Sequence, residues 1–113
     1  MAVKIGTVNT FPNVEPDKEQ ALKILEESAE VFGAWQEWSY WNGRIDISEN
    51  EYAAAVRAHD AKGYLCEECA DLVTAVSNLL AALGVTNLYE WLQVVEGKNR
   101  DRGHYDERGY YDR

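Results

Sequence analysis

Two short acidic runs hold the residues of this sequence best suited to chemistry. The first is Glu26-Glu27-Ser28-Ala29-Glu30 and the second is Glu67-Glu68-Cys69-Ala70-Asp71. On a helix, residues three or four apart are neighbours, so Glu26, Glu27 and Glu30 share one arc and Glu68 and Asp71 share another. Like charges so placed repel by roughly a few tenths of a kcal/mol per pair. A hard divalent cation with oxygen ligands relieves that repulsion, and plain solvation of an acidic face is the other way to relieve it. Mg²⁺ suits such a set because it takes one or two carboxylates per ion together with waters and phosphate oxygens, and Mn²⁺ accepts the same oxygen ligands.

The two runs act together only if helices bring them to one place. Asp17 followed by Gln20 is a capping box, and a helix is expected over about 16–38. On it Leu22, Leu25, Ala29 and Phe32 form one apolar stripe, and Ile24, Val31 and Trp35 form a second beside it. A helix apolar over half its circumference packs on two sides, which in a chain this small predicts a homodimer or homotetramer. Residues 39–48, with Asn42, Gly43 and Asp46, are a connection, and Ser48 with Glu51 is a second capping box. A helix is predicted over 49–62, ending near Gly63, and another over 64–83, closed by Gly84 in the left-handed conformation. Cys69, Leu72, Val76, Leu79, Leu80 and Leu83 share one face of that helix; Glu68 and Asp71 lie opposite it, with Asn78 on the acidic side.

Asn87 and Glu90 start a fourth helix over 87–97, carrying Leu88, Trp91, Leu92 and Val95 at helical spacing. The expectation is an all-α four-helix bundle in a single domain spanning 1–113. If the first and third helices pack antiparallel, their acidic edges converge and offer four carboxylates. Residues 1–15 form an irregular arm with room for one short strand. From Gly97 the chain is charged and Tyr-rich, with Arg-Gly units at Arg102-Gly103 and Arg108-Gly109, and it reads as a tail or lid.

Composition narrows the function classes. The formal net charge of -9 argues against nucleic acid held through overall charge, but a carboxylate-held cation can reverse the local sign and recruit a polyphosphate. No run of roughly 18 to 20 apolar residues is present for a membrane span, and two cysteines fit a reducing, cytoplasmic compartment. Cys66 and Cys69 have the spacing of a redox or zinc half-site, but with no preceding strand and no second cysteine pair they read as reduced thiols. Val56 stands three residues before His59, so the Glu-x-x-His of a di-iron bundle is missing there.

Glu-Glu-x-x-Glu on one helix followed by Glu-x-x-Asp at the head of an apolar helix resembles the signature of the all-α nucleotide pyrophosphatase superfamily, which includes MazG, dimeric dUTPases and phosphoribosyl-ATP pyrophosphohydrolase. The resemblance runs over about 17–105. It extends to a Lys-Asn pair at Lys98-Asn99, followed by Arg102-Gly103 and Tyr105. The segment between Glu30 and Glu68 is longer than is usual for the family. The resemblance implies Glu27, Glu30, Glu68 and Asp71 as Mg²⁺ ligands, with Glu26 and Glu27 catalytic, Glu26 helping to orient metal or water. It implies cleavage of a nucleoside triphosphate to the monophosphate and pyrophosphate, in house-cleaning of surplus or non-canonical nucleotides. Asn78, Lys98, Asn99, Arg102 and Tyr105 are the expected substrate contacts, with Trp38 near the end of the first helix able to stack on a base. Phosphoribosyl-ATP hydrolysis is the second reading within the family, and a non-enzymatic acidic interaction module is the reading outside it.

Overall fold

The first helix is capped as its sequence predicts. In the computed structural model, which describes residues 1–47 and 49–105, Asp17 Oδ1 accepts a hydrogen bond from the Gln20 N–H at 3.1 Å. The helix, α1 (Lys18–Asn42), runs one turn beyond the expected end, since no residue before Gly43 breaks it. Rings hold that last turn: Arg44 lies over Tyr40 at 4.1 Å and Arg57 over Trp41 at 4.7 Å. Residues 1–15 contain no strand, so the arm is irregular throughout.

The second and third predicted helices are a single one, α2 (Glu51–Ala82). Gly63 does not end it. A mid-helix glycine costs about 1 kcal/mol relative to alanine, too little to break a helix that packs along its length. Asn50 is the N-cap, accepting from the Ala53 N–H at 3.0 Å; the capping role expected of Ser48 lies outside the described residues. Gly84 closes α2 at φ 80°, with Val85 N–H donating to Leu80 O and Gly84 N–H to Ala81 O, the paired bonds of a Schellman turn.

The third helix, α3 (Tyr89–Asp101), continues past the expected end at 97. Glu96 and Arg100 pair at 3.3 Å one turn apart, and Lys98 and Arg100 favour the negative end of the helix dipole, so the charged composition that looked like a tail still supports a turn of helix. Arg102-Gly103 ends it in a second Schellman turn, Gly103 at φ 79°, with His104 N–H donating to Asn99 O. Arg108-Gly109 lies outside the described residues.

The described residues thus form an all-α chain of three helices, and the expected four-helix bundle is not built within it. α1 and α2 pair antiparallel, Trp41 meeting Arg57 near one end; α3 packs on neither. The pairing uses alanine instead of leucine: Ala34, Ala54, Ala58, Ala61 and Ala75 are buried, whereas Leu22, Leu25 and Phe32 of the expected packing stripe are exposed. Small side chains let two backbones approach closely, which leucines in the seam would prevent. No helix of the described residues is long and apolar enough to cross a membrane.

Candidate metal centre

The alanine seam is interrupted by acid. Glu27 on α1 and Glu68 on α2 are each only 7% exposed, in a seam otherwise closed by Ala34, Ala61 and Ala75. One carboxylate oxygen from each of Glu27, Glu68 and Asp71 lies within 4.8 Å of the others. The Glu30 carboxyl joins them. Its pKa is raised above the ordinary carboxylate value, first by hydrogen bonding with Glu68 and then by the charge of Glu27. The sequence placed Glu68 on the side away from the packing face. It lies within the α1–α2 seam, because that seam is the alanine face and not the leucine face.

Two oxygens of this cluster, Glu27 Oε2 and Glu68 Oε2, are fully buried and have no hydrogen-bond partner in the protein. A buried carboxylate oxygen without a partner is costly, and paired or metal-bound states are how proteins meet that cost. Three converging carboxylates, two of them with orphan oxygens and a fourth, Glu30, beside them, are a hard-cation donor set, and the residues present therefore fit Mg²⁺ or Mn²⁺. Lys23 alone cannot satisfy them: its Nζ is 3.2 Å from Glu27 Oε1 and 3.6 Å from Glu26 Oε2, on the outer rim of the cluster. Both carboxylates raise the Lys23 pKa, the hydrogen bond to Glu27 most. Glu26 is an exposed partner of Lys23 and is not among the converging carboxylates.

Tyr64, one turn before Glu68, was not singled out in the sequence. Its hydroxyl faces the cluster: the neighbouring Glu68 carboxylate, with Glu30 and Asp71 behind it, pushes its pKa up. The i, i+4 spacing from Glu68 was the available signal.

The expected substrate contacts separate into three places. Asn78, 4% exposed, accepts from the Phe11 N–H at 2.8 Å and so fastens the N-terminal arm to α2. Its Oδ1 is thus engaged by the backbone of the arm. Trp38 lines a cavity of about 1020 Å³ between that arm and the helix pair, with Asn9, Asn42, Lys62, Cys66 and Cys69 among its walls. Both thiols are free and exposed. Lys98, Asn99 and Arg102 belong to α3 and its cap, and Tyr105 follows with Arg100 6.0 Å from its ring. None of these four lies on the α1–α2 pair.

Comparison with known protein families, with curated proteins and with solved structures finds no match for the chain.

Proposed function

We propose that this chain is an Mg²⁺-dependent nucleoside triphosphate pyrophosphohydrolase, releasing pyrophosphate and a nucleoside monophosphate. The observation that carries the reading is the pair of buried, unpartnered oxygens on Glu27 and Glu68, which converge with Asp71 and have Glu30 beside them. An acidic face that is merely solvated has no reason to bury its charges.

Glu27, Glu30, Glu68 and Asp71 would hold the ion. When bound, Mg²⁺ neutralises triphosphate charge and polarises the α-phosphorus. Glu30, exposed at the rim beside Glu27 and Glu68, would add its carboxylate on the solvent side of the ion. Glu26 acts one step further out, holding Lys23 against Glu27. The cavity beside Trp38 is apolar enough for a base, with Asn9 and Asn42 to contact its polar edge. House-cleaning of surplus or non-canonical nucleotides is the role this arrangement serves, and a cytoplasmic site of action goes with it.

The four-helix bundle and the homo-oligomer belong together in this reading: two α1–α2 hairpins from two copies supply four helices. The chain exposes 9228 Å² at 12.8 kDa, against about 6,300 Å² for a folded monomer of this mass. At most about 1,500 Å² of the difference can belong to the residues outside the described set. What remains exceeds the roughly 800 Å² per partner that a standard stable interface covers.

The direct test is pyrophosphate release from a panel of canonical and modified (deoxy)nucleoside triphosphates with Mg²⁺, with Mn²⁺ and with EDTA. Release that requires the metal and varies with the base is expected. No release from any member, with either metal, would overturn the assignment.

A further inference from the structure

We propose that Cys66 and Cys69 are a redox-responsive dithiol: a small anionic disulfide entering the cavity beside the N-terminal arm closes them into a bond within α2, and that bond displaces Glu68. The coupling to cation binding rests on the metal-centre reading above; the dithiol chemistry does not.

The first observation is the spacing. Three residues apart on α2, the two Cα atoms stand about 5 Å apart, inside the roughly 4.4–6.8 Å that disulfides span. Their Cβ atoms, about 5–6 Å apart on a regular helix, must close to about 4 Å for the bond to form. The turn has to tighten. A bond made under such strain is easily reduced again, and labile disulfides of that kind are the ones that serve sensing.

The second observation is access. Both thiols are free and exposed, and both belong to the wall of the cavity of about 1020 Å³ between the arm and the helix pair, where a small molecule can reach them. Lys4 and Lys62 stand on the same wall, Lys62 one turn before Cys66, and neither has an acidic partner among the described residues. In a chain of net charge -9, two unpaired ammonium groups beside two thiols select an anionic reagent. A disulfide that bears carboxylates has both the charge and the reactive bond. One cysteine attacks it, forming a mixed disulfide and releasing one small thiol; the other cysteine attacks the mixed bond and releases the second. Cys66 and Cys69 together give up two electrons and two protons, and the reagent leaves as two thiols.

The third observation is what the bond encloses. Glu68 directly precedes Cys69, and its carboxylate reaches into the helix seam, within 4.8 Å of those of Glu27 and Asp71. Mg²⁺ demands near-ideal geometry at about 2.0–2.1 Å, so tightening the turn that carries Glu68 loosens the hold on the ion.

The test uses the full chain, glutathione disulfide as the oxidant and two readouts that need no activity: the mass of the alkylated chain and its peptides, and the melting midpoint with and without Mg²⁺. Oxidised wild type should carry an intrachain bond between Cys66 and Cys69 with no glutathione retained, and dithiothreitol should reverse it. Its Mg²⁺-induced rise in midpoint should be lost, whereas Cys66→Ser/Cys69→Ser should keep the rise with or without oxidant. Cys69→Ser, left with one thiol, should stop at the mixed disulfide and keep the rise as well. Wild-type thiols that stay reduced, or that stop as glutathione adducts, overturn the dithiol. A closed bond with an undiminished Mg²⁺ shift, or an equal loss of the shift in oxidised Cys69→Ser, overturns the coupling to Glu68. If reduced wild type shows no Mg²⁺ shift at all, the metal-centre reading fails, and bond formation alone decides for or against the dithiol.

Discussion

Glu27 on α1 and Glu68 on α2 bury one carboxylate oxygen each, without a hydrogen-bond partner, in the same alanine-lined helix seam. Neither residue could be kept there for packing alone. Each places a carboxyl where alanine or leucine would be the stabilising choice, and among the described residues the two meet at one point.

Replacing any ligand should therefore separate function from stability. Glu27→Gln, Glu30→Gln, Glu68→Gln and Asp71→Asn are each expected to abolish pyrophosphate release while circular dichroism stays helical. In EDTA the Glu27 and Glu68 variants should melt higher than wild type, because a buried charge has been removed. Full turnover in any two of the four would refute the ligand set.

Metal should stabilise the folded chain by mass action. At about one hundred times the dissociation constant, a single site that forms only on folding adds about 2.7 kcal/mol, which a thermal melt resolves easily. EDTA should reverse the gain, and Glu68→Gln should not show it. An unchanged midpoint at saturating Mg²⁺ and Mn²⁺ would mean that the carboxylates hold no ion.

The Glu30 carboxyl gives the pH dependence its sign. Its folded pKa is raised by Glu68 and Glu27 above the ordinary 4.5. Its contribution to stability is thus fully present below the unfolded value and is lost as pH rises through the folded one. Metal-free wild type should accordingly gain stability relative to Glu30→Gln as pH is lowered from neutrality toward 4.5. Parallel melting curves for the two proteins across that range would contradict this.

The alanine seam predicts a distant route to the same loss. Ala58→Leu or Ala61→Leu inserts bulk where the helices close, and overpacking of this kind costs about 1–3 kcal/mol. The helices must part or shift, so the midpoint should fall and Mg²⁺ affinity should weaken although no ligand has changed. A variant with lowered stability and wild-type metal affinity would show the seam does not set the cluster's spacing.

Deleting residues from Gly97 onward should lower kcat/KM and leave Mg²⁺ stabilisation intact, since the deletion removes Lys98, Asn99, Arg102 and Tyr105 but no carboxylate of the cluster. Wild-type kcat/KM in the truncated protein would reduce the segment to a solvated end.

The sequence by itself determined the local features. The Asp17 cap, the glycine that closes α2 at position 84, the helical class and the two acidic runs themselves all follow from side-chain chemistry and from spacing within one turn, which act over a few residues. Tertiary structure decided the rest. Periodicity reports that a stripe must be covered but not by what, so the Leu22, Leu25 and Phe32 stripe looked like the hairpin's packing face, while the contact was made by alanines that periodicity scarcely marks. Gly63 looked like a boundary because its local cost is visible in sequence and the packing that outweighs it is not. That Asn78 Oδ1 fastens the arm, through the Phe11 N–H 67 residues away, was invisible to local spacing. Burial of Glu27 and Glu68 could be decided only between two helices, because the distance and the dielectric that make a carboxylate costly belong to the pair and to neither strand of sequence alone.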